Sequence, residues 1–193
     1  MKNKQKIFIH PKAIVESKSI GLGTRIWGFS HVMKSAVIGR DCNIGEHCFI
    51  ESGVKIGDRV TIKNGVSVWD RVNIRNDVFV GPNAVFTNDL YPISRVLDRK
   101  KERFKDTLIK NGVCVGANST VVCGITLNEH SFIGAGAVVV NDLPRYALAY
   151  GNPAKVKGFI CSCRRKLKFK GKTAKCLCGK KFGKSSKYGI MPL

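Results

Sequence analysis

Large apolar residues recur at every sixth position over the first half of the chain. An α-helix repeats its apolar face every 3.6 residues and a strand every two, so a strict period of six predicts neither. The period is typical of a chain that winds through short strands and corners as a parallel β-helix, an all-β fold. We expect its phase to hold without a slip across the whole series: Phe8, Ile14, Ile20, Ile26, Val32, Ile38, Ile44, Ile50, Ile56, Ile62, Val68, Ile74, Val80 and Phe86.

A second series of small or β-branched residues stands four positions after the first. Glycine often follows the large residue directly, as in Ile38-Gly39 and Ile44-Gly45, and we expect it to supply a positive φ at a corner. Three six-residue faces make an 18-residue coil, and parallel pairing places residues 18 apart at about 4.8 Å. Stacking of coils then buries the interior. The second series is Thr24, Ser30, Ala36, Cys42, Cys48, Val54, Val60, Val66, Val72, Val78 and Ala84.

The repeat stops after Phe86 and resumes in a shifted phase, which makes residues 87–108 an insertion between coils. The insertion is long and charged. Loops of this length are more often functional than accidental, and the alternative is a solvated excursion. The resumed large positions are Ile109, Val115, Val121, Leu127, Ile133 and Val139, and the resumed small positions are Ser119, Ile125, Ser131 and Ala137.

These boundaries divide the chain into a β-helix over 8–145, a connector over 146–160 and a basic tail over 161–193. The sequence has no run of 18 apolar residues and no signal-peptide pattern, so we expect a soluble, cytoplasmic protein without membrane insertion. Cys42 and Cys48 stand at inward repeat positions, where we expect them to act as small apolar fillers. Nothing in the cysteine pattern indicates a secreted disulfide framework.

The formal net charge is +21, and eleven of the 34 lysines and arginines lie in residues 161–193, which contain no acidic residue. Such a tail can attract nucleic acid or anionic lipid. It has only three aromatic residues and matches no RNA-binding signature, which favours attraction to anionic substrates, or solubility, over nucleic-acid binding. A non-catalytic scaffold with a nucleic-acid-binding tail stays open as an alternative.

The tail also carries two close cysteine pairs, Cys161-Ser162-Cys163 and Cys176-Leu177-Cys178-Gly179. Two such pairs separated by a short basic segment predict a four-thiolate structural zinc site, although the usual knuckle has two residues between its ligands rather than one. Metal binding would supply folding energy to a segment this basic. The alternative is four reduced cysteines in a mobile tail.

Three motifs together resemble the left-handed β-helix acyltransferases, and more narrowly the nucleotide-linked 3-amino-sugar N-acetyltransferases of surface polysaccharide synthesis. They are the hexapeptide series, the loop opening FTNDLYP at 86–92, and the closing GAGA at 134–137 with YGNPAK at 150–155. The segment IKNGVSVWD at 62–70 narrows the resemblance to the sugar N-acetyltransferases. The resemblance covers about residues 8–160. It implies left-handed coiling, acetyl-CoA as donor, and a homotrimer with active sites between subunits.

In the members of this family that the chain resembles most, an asparagine in the segment matching IKNGVSVWD contacts the sugar, and the amine attacks the thioester directly. That residue is Asn64 here, and the 18-residue coil places Glu46 one coil below it. We expect Asn64 and Glu46 to hold the sugar, with Glu46 or His47 accepting a proton if a base is used. The alternatives are structural: Asn64-Gly65 is also a good corner dipeptide, and Glu46 and His47 follow a corner glycine.

The resemblance also assigns binding residues. Asn88, Asp89, Tyr91 and Arg95 in the inserted loop are expected to contact the nucleotide-sugar. Backbone groups near Ala117, Gly134 and Ala135 are expected to line the coenzyme groove, with Lys155 and Lys157 on its phosphates. The FTNDLYP loop favours a dTDP-linked 3-amino-3,6-dideoxyhexose, with a UDP-linked 3-amino uronic acid or another amino sugar as the alternative.

A γ-type carbonic anhydrase shares this architecture and needs three grouped histidines for zinc. The four histidines of this chain are His10, His31, His47 and His130, and no two of them are close in sequence. This spacing argues against a carbonic anhydrase.

Overall fold

The computed structural model describes residues 6–94, 103–185 and 189–193. In these residues short parallel strands wind into a triangular coil whose three faces are sheets of nine, seven and six strands, here called sheets A, B and C. A fourth sheet, D, has three antiparallel strands near the C-terminus. The all-β parallel β-helix expected from the period of six is confirmed.

The strands are two to five residues long. Sheet A runs β1 (Phe8–Ile9), β4 (Arg25–Ile26), β7 (Asn43–Ile44), β10 (Thr61–Ile62), β13 (Phe79–Val80), β16 (Cys114–Val115), β19 (Phe132–Ile133), β21 (Ala147–Tyr150) and β22 (Lys155–Phe159). Sheet B runs β2 (Ile14–Val15), β5 (His31–Val32), β8 (Phe49–Ile50), β11 (Ser67–Val68), β14 (Val85–Phe86), β17 (Thr120–Val121) and β20 (Val138–Val139). Sheet C runs β3 (Ser19–Ile20), β6 (Val37–Ile38), β9 (Lys55–Ile56), β12 (Val72–Ile74), β15 (Thr107–Ile109) and β18 (Thr126–Leu127), and sheet D contains β23 (Thr173–Lys175), β24 (Lys181–Ser185) and β25 (Gly189–Pro192).

The pairing between coils repeats every 18 residues. Thr61 pairs with Asn43 in the coil below and with Phe79 in the coil above. The insertion leaves this stacking intact, because Val72 pairs with Thr107, which lies one coil further on once the inserted residues are discounted. The expected end of the insertion at residue 108 was wrong, because Thr107 and Leu108 already belong to strand β15 of the β-helix. Both inward series from Ile26 onward are buried in one continuous core.

The first coil departs from the expected phase. Its register places Ile9 and Val15 at the inward positions, whereas Phe8 and Ile14 are exposed on the outer face. The expectation of an unbroken phase from Phe8 was therefore wrong. The corner after Val15 is one residue short, because the Ser17 hydroxyl closes it by accepting from the backbone N–H two residues on and donating to a carbonyl of the next coil.

Positive φ angles occur three positions after the large inward residue, not directly after it as expected. These residues have φ between 53° and 87°, and in most of them the backbone N–H donates to a carbonyl in the coil below. A left-handed residue other than glycine costs roughly 1–2 kcal/mol, which the hydrogen bonds between coils offset. The residues are Gly23, Phe29, Asp41, His47, Gly53, Arg59, Gly65, Arg71, Asp77, Asn83, Gly112, Asn118, Gly124, His130 and Gly136.

The glycines directly after the large residues are required for a different reason, which is the close approach of the next coil. A Cβ on Gly39 would lie 2.6 Å from the carbonyl carbon of Gly57, and one on Gly116 would lie 2.5 Å from the nitrogen of Ala135. These distances are far inside van der Waals contact and involve backbone, which cannot move aside. Glycine is therefore required there because adjacent coils approach closely.

The small inward residues include several that hydrogen-bond to the next corner. The Ser30 hydroxyl donates to the carbonyl of Gly45 at 2.6 Å, and the Cys42 and Cys48 thiols approach the carbonyls of Gly57 and Lys63 at 3.1 and 3.2 Å. Burial raises the pKa of both thiols, which keeps them protonated as donors. Cys42 and Cys48 thus fill space as expected, and their thiols also donate to the next corner in the way that the Ser30 hydroxyl does.

The chain beyond residue 145 continues sheet A. Strand β21 pairs in parallel with β19, and β22 pairs antiparallel with β21 across the last coil. Among the described residues, no helix is long and apolar enough to cross a membrane.

The two kinds of corner position predict different responses to substitution. Gly39→Ala should lower the free energy of unfolding by about 1–3 kcal/mol, because its Cβ meets the backbone of the next coil. Asn118→Gly removes a left-handed side chain in the same kind of corner and should leave stability nearly unchanged, since relief of strain offsets added chain entropy. Thermal unfolding at one protein concentration measures both. An unchanged midpoint for Gly39→Ala would contradict the close-approach explanation.

Candidate active site

The corner between sheets A and B forms a continuous edge, called edge AB, whose successive coils present Glu46, Asn64, Pro82, Ala117 and Ala135. Backbone hydrogen bonds of 2.9–3.0 Å link them, since the carbonyls of Glu46, Asn64, Pro82 and Ala117 each accept from the N–H one coil further on. The residues expected to hold the sugar and those expected to line the coenzyme groove therefore share one edge.

Asn64 lies directly over Glu46, as the 18-residue coil predicted. Its Oδ1 accepts from the backbone N–H of Glu46 at 3.3 Å, and both side chains are exposed. The Nδ2 group carries two further donor hydrogens. The same downward contact recurs at another corner, where Asn76 Oδ1 accepts from the N–H of Asp58 at 2.9 Å. The contact itself is thus a structural feature of the coil.

His47 takes the left-handed position of its corner, with φ of 56°, and its ring stacks on Phe29 at 5.0 Å between centroids. The backbone at this position requires a left-handed residue whatever the side chain does. His47 and Glu46 are both exposed on edge AB, so they can reach a molecule bound along it.

The upper end of edge AB leads to the two lysines expected at the coenzyme phosphates. A Cβ on Gly134 would touch Tyr150 at 2.9 Å, and Tyr150 pairs with Lys155 in the next strand. Lys157 follows on the same exposed strand. Five strand spacings separate Asn64 from Lys155, which amounts to about 24 Å along the edge.

The inserted loop leaves the β-helix at the corner between sheets B and C, called edge BC. Its two ends pair in antiparallel fashion, because Leu90 N–H donates to the Arg103 carbonyl at 3.2 Å and Lys105 N–H donates to the Asn88 carbonyl at 3.1 Å. The Thr87 hydroxyl accepts from the backbone of the next coil at 2.9 Å. These contacts make a narrow neck at the base of the loop.

Asp89 closes this neck rather than facing outward. Both of its carboxylate oxygens accept from the Arg103 guanidinium, and one also accepts from Tyr91 N–H at 2.9 Å. The Asp89 and Arg103 side chains are only 13% and 18% exposed. The hydrogen bond from Arg103 lowers the pKa of Asp89. Asp89 therefore has a structural task that leaves little of its carboxylate for a ligand.

The other loop residues expected to bind the sugar differ in their exposure to solvent. Tyr91 is 77% exposed, and Asn88 is half-buried at the neck. The expected contact Arg95 lies outside the described residues. Edges AB and BC lie on opposite sides of sheet B, so one protomer does not bring Asn88 and Tyr91 together with Asn64.

Sequence reasoning missed a groove on edge BC beside the neck. It has a volume of about 540 Å³ and is lined by Leu90, Lys105, Cys123, Val140 and Asp142 among others. Leu90 and Lys105 belong to the insertion, which was the available signal, whereas Cys123 and Asp142 stand in unremarkable repeat positions. Asn83 and Asn118 are also exposed on edge AB, each in the left-handed position of its corner.

The four tail cysteines come together at the C-terminal end. Their sulfur atoms all lie within 4.8 Å of one another, with Cys161 and Cys176 buried and Cys163 and Cys178 exposed. This cluster belongs to neither edge AB nor edge BC.

Comparison with known proteins agrees with the coil and with the position of the insertion. The family model described as hexapeptide repeat of succinyl-transferase matches residues 36–69 and 108–140, which flank the insertion. A curated relative from Aneurinibacillus thermoaerophilus, dTDP-3-amino-3,6-dideoxy-alpha-D-galactopyranose 3-N-acetyltransferase, is 53% identical over 175 residues. This match covers 91% of the chain and 90% of the relative.

Solved structures share the fold at lower identity. The acetyltransferase domain of PglB from Neisseria gonorrhoeae is 24% identical with a TM-score of 0.52, covering 79% of this chain and 58% of that one, less than two thirds of its length. A hexapeptide-repeat acetyltransferase from Vibrio cholerae, solved with acetyl coenzyme A, is 23% identical with a TM-score of 0.51, covering 71% and 70%.

The neck predicts a pH-dependent stability term. Asp89→Asn should lower the unfolding midpoint at pH 7 more than Asp77→Asn does, because the Asp77 pair with Arg59 is about half exposed and weakened by solvent. Arg103 lowers the pKa of Asp89 below its usual 3.8. The contribution of Asp89 is therefore complete above about pH 3.8 and is lost as pH falls through the lowered folded-state pKa.

Thermal unfolding of the wild type and both variants from pH 7 downward checks this expectation. The gap between wild type and Asp89→Asn should close towards acid. Equal midpoints for the two variants at pH 7 would show that the neck contributes no more than a surface pair.

Proposed function

This chain belongs to the left-handed β-helix, hexapeptide-repeat acetyltransferases, and we propose that it transfers the acetyl group of acetyl-CoA to the 3-amino group of a dTDP-linked 3-amino-3,6-dideoxyhexose. The observation that carries the proposal is the 53% identity to a relative named for this reaction, over nine-tenths of both chains. The product would serve surface polysaccharide synthesis. Both substrates are small cytoplasmic metabolites, which supports a cytoplasmic location.

The proposed reaction does not require a strong base. The neutral 3-amine attacks the thioester carbonyl, the C–N bond forms as the C–S bond breaks, and the departing thiolate takes the proton of the amine. The protein must align the two reactants and stabilise the developing oxyanion. Asn64 would orient the sugar through its free donor hydrogens, with Glu46 beside it. Glu46 or His47 would accept the proton if a base is used.

The exposed edge AB supports the coenzyme assignment. Backbone groups at Ala117, Gly134 and Ala135 lie along it, and Lys155 and Lys157 stand at its upper end, where cations suit phosphates. The span of about 24 Å from Asn64 to Lys155 suits a long, extended donor. The thioester would then lie at the lower end, beside the sugar.

A homotrimer would join what one protomer keeps apart. The loop on edge BC and the polar residues on edge AB lie on opposite sides of sheet B, so the site is complete only if a neighbour brings its loop to edge AB. Cyclic assembly repeats such a contact at each interface. Asn88, Tyr91 and Arg95 would then contact the nucleotide-sugar, while Asp89 holds the neck of the loop.

The alternative substrate within the class is a UDP-linked 3-amino uronic acid or another amino sugar, because few contacts distinguish such ligands. The non-enzyme alternative, a nucleic-acid-binding scaffold, has no support from the relatives.

Release of free thiol from acetyl-CoA, measured against a panel of dTDP- and UDP-linked amino sugars, tests the proposal. Turnover is expected with dTDP-linked 3-amino-3,6-dideoxyhexoses, and faster than with UDP-linked sugars. Sugars lacking the 3-amine serve as the control and should give none. No turnover with any amino sugar in the panel would contradict the proposal.

Asn64→Ala and Asn76→Ala form a matched pair, because each removes an Oδ1 acceptor that bonds the coil below, on different corners. Both should cost similar stability. Asn64→Ala alone should lower kcat/KM by at least about tenfold, the loss expected for one hydrogen bond to the reacting sugar. Equal kcat/KM values for the two folded variants would exclude a role for Asn64 in the reaction.

A further inference from the structure

The four cysteines of the tail bring their sulfur atoms within 4.8 Å of one another, and we propose that Cys161, Cys163, Cys176 and Cys178 hold one structural zinc ion. Sulfur–sulfur distances of 3.6 Å between Cys161 and Cys178 and 3.5 Å between Cys163 and Cys176 carry the proposal. Four thiolates at the usual zinc–sulfur length of about 2.3 Å stand about 3.8 Å apart at the corners of a tetrahedron. A disulfide requires about 2.05 Å.

The two cysteine pairs occupy equivalent turns. In the first, Cys161 N–H donates to the Arg165 carbonyl and Arg164 N–H donates back to the Cys161 carbonyl, at 2.9 and 2.8 Å. The second, 15 residues later, repeats this with Cys176 N–H to the Lys180 carbonyl and Gly179 N–H to the Cys176 carbonyl, at 2.8 and 2.9 Å.

Each turn also ends in a left-handed residue, Arg164 with φ of 70° and Gly179 with φ of 90°. Two copies of one turn therefore face each other and present two sulfurs apiece. The two turns can thus supply two ligands each to a four-thiolate site, with one residue between the ligands of each pair instead of the usual two.

The local charge suits the complex. Zinc with four thiolates carries a net charge of −2, and the tail around it contains eleven cations and no acid. Lys180 is held close, because its Nζ donates to the Ser162 hydroxyl between two ligands at 2.8 Å. The basic composition of the tail would thus compensate for the negative charge of the complex.

The site is structural because it is closed. Four protein ligands leave no position for a substrate, which separates structural from catalytic zinc. The core beside it is small, built from Tyr146, Cys161, Cys176, Phe182 and Ile190. A core of this size does not stabilise a segment of about 30 residues, so metal binding would supply folding energy.

The segment also docks on the third corner of the β-helix, between sheets C and A. Arg164 Nη2 donates to the Gly112 carbonyl at 3.0 Å, and Tyr146 stacks on His130 at 4.9 Å while meeting Phe182 edge-on at 5.1 Å. This corner is neither edge AB nor edge BC. The zinc would fix the tail on the last coils without contacting the reacting atoms.

Metal content of the full-length protein, purified without chelator, tests the site. Wild type and the control Cys114→Ser, whose cysteine lies outside the cluster, should each contain one zinc per chain. Cys163→Ser/Cys178→Ser changes only the two exposed ligands and should lose most of the zinc and unfold at a lower temperature. Zinc retained at full content by a folded double variant would overturn the proposal.

Cobalt substitution gives a measurement that requires no variant to fold. Wild type loaded with Co²⁺ should show the thiolate charge-transfer and d–d absorption bands of a tetrahedral four-sulfur site. Absence of zinc together with absence of these bands, or mass analysis finding two disulfides among the four cysteines, would overturn the proposal. Metal content is independent of acetyl transfer, so either hypothesis can fail without the other.

Discussion

Close stacking of coils at about 4.8 Å is the constraint on which the rest of this structure depends. It requires glycine where backbones meet, as at Gly39 and Gly116, and a left-handed residue at most corners. It also demands partners for the small inward residues, which Ser30 and Cys48 find in the carbonyls of the next corner. Because stacked coils keep the same spacing, equivalent positions of successive coils form straight columns, and the corners become edges along which functional groups can be arrayed.

The three edges of the β-helix carry different groups of residues. Edge AB carries Asn64, Glu46 and the backbone of later coils, edge BC carries the loop neck with Asp89 and Arg103, and the third corner carries the cysteine-rich tail. The triangular coil keeps these groups apart in one protomer, and this separation is the physical reason for proposing that the complete site forms in an assembly. A bound donor would then extend along an edge that the coils have already ordered.

Periodicity predicted most of the fold, since burial at every sixth position leaves a direct record in residue type. It located the insertion and placed Asn64 over Glu46. It misjudged the first coil, because Ile14 and Val15 are equally apolar and only the short Ser17 corner decides which faces inward. It also misplaced the left-handed residues, because Phe29 and Arg59 are residue types that rarely adopt a positive φ. The engagement of Asp89 by Arg103 depends on a partner 14 residues away, which no local pattern reveals.

Subunit complementation tests the central claim, a site shared between edge AB of one protomer and the loop of another, most directly. One protomer would carry Asn64→Ala. The other would have residues 91–102 replaced by two glycines, which the 3.2 Å contact between Leu90 and Arg103 permits. Neither alone should acetylate the sugar efficiently, whereas mixed assemblies should regain activity at interfaces that pair an intact edge with an intact loop. Mixed assemblies no more active than the average of the two variants would contradict the account.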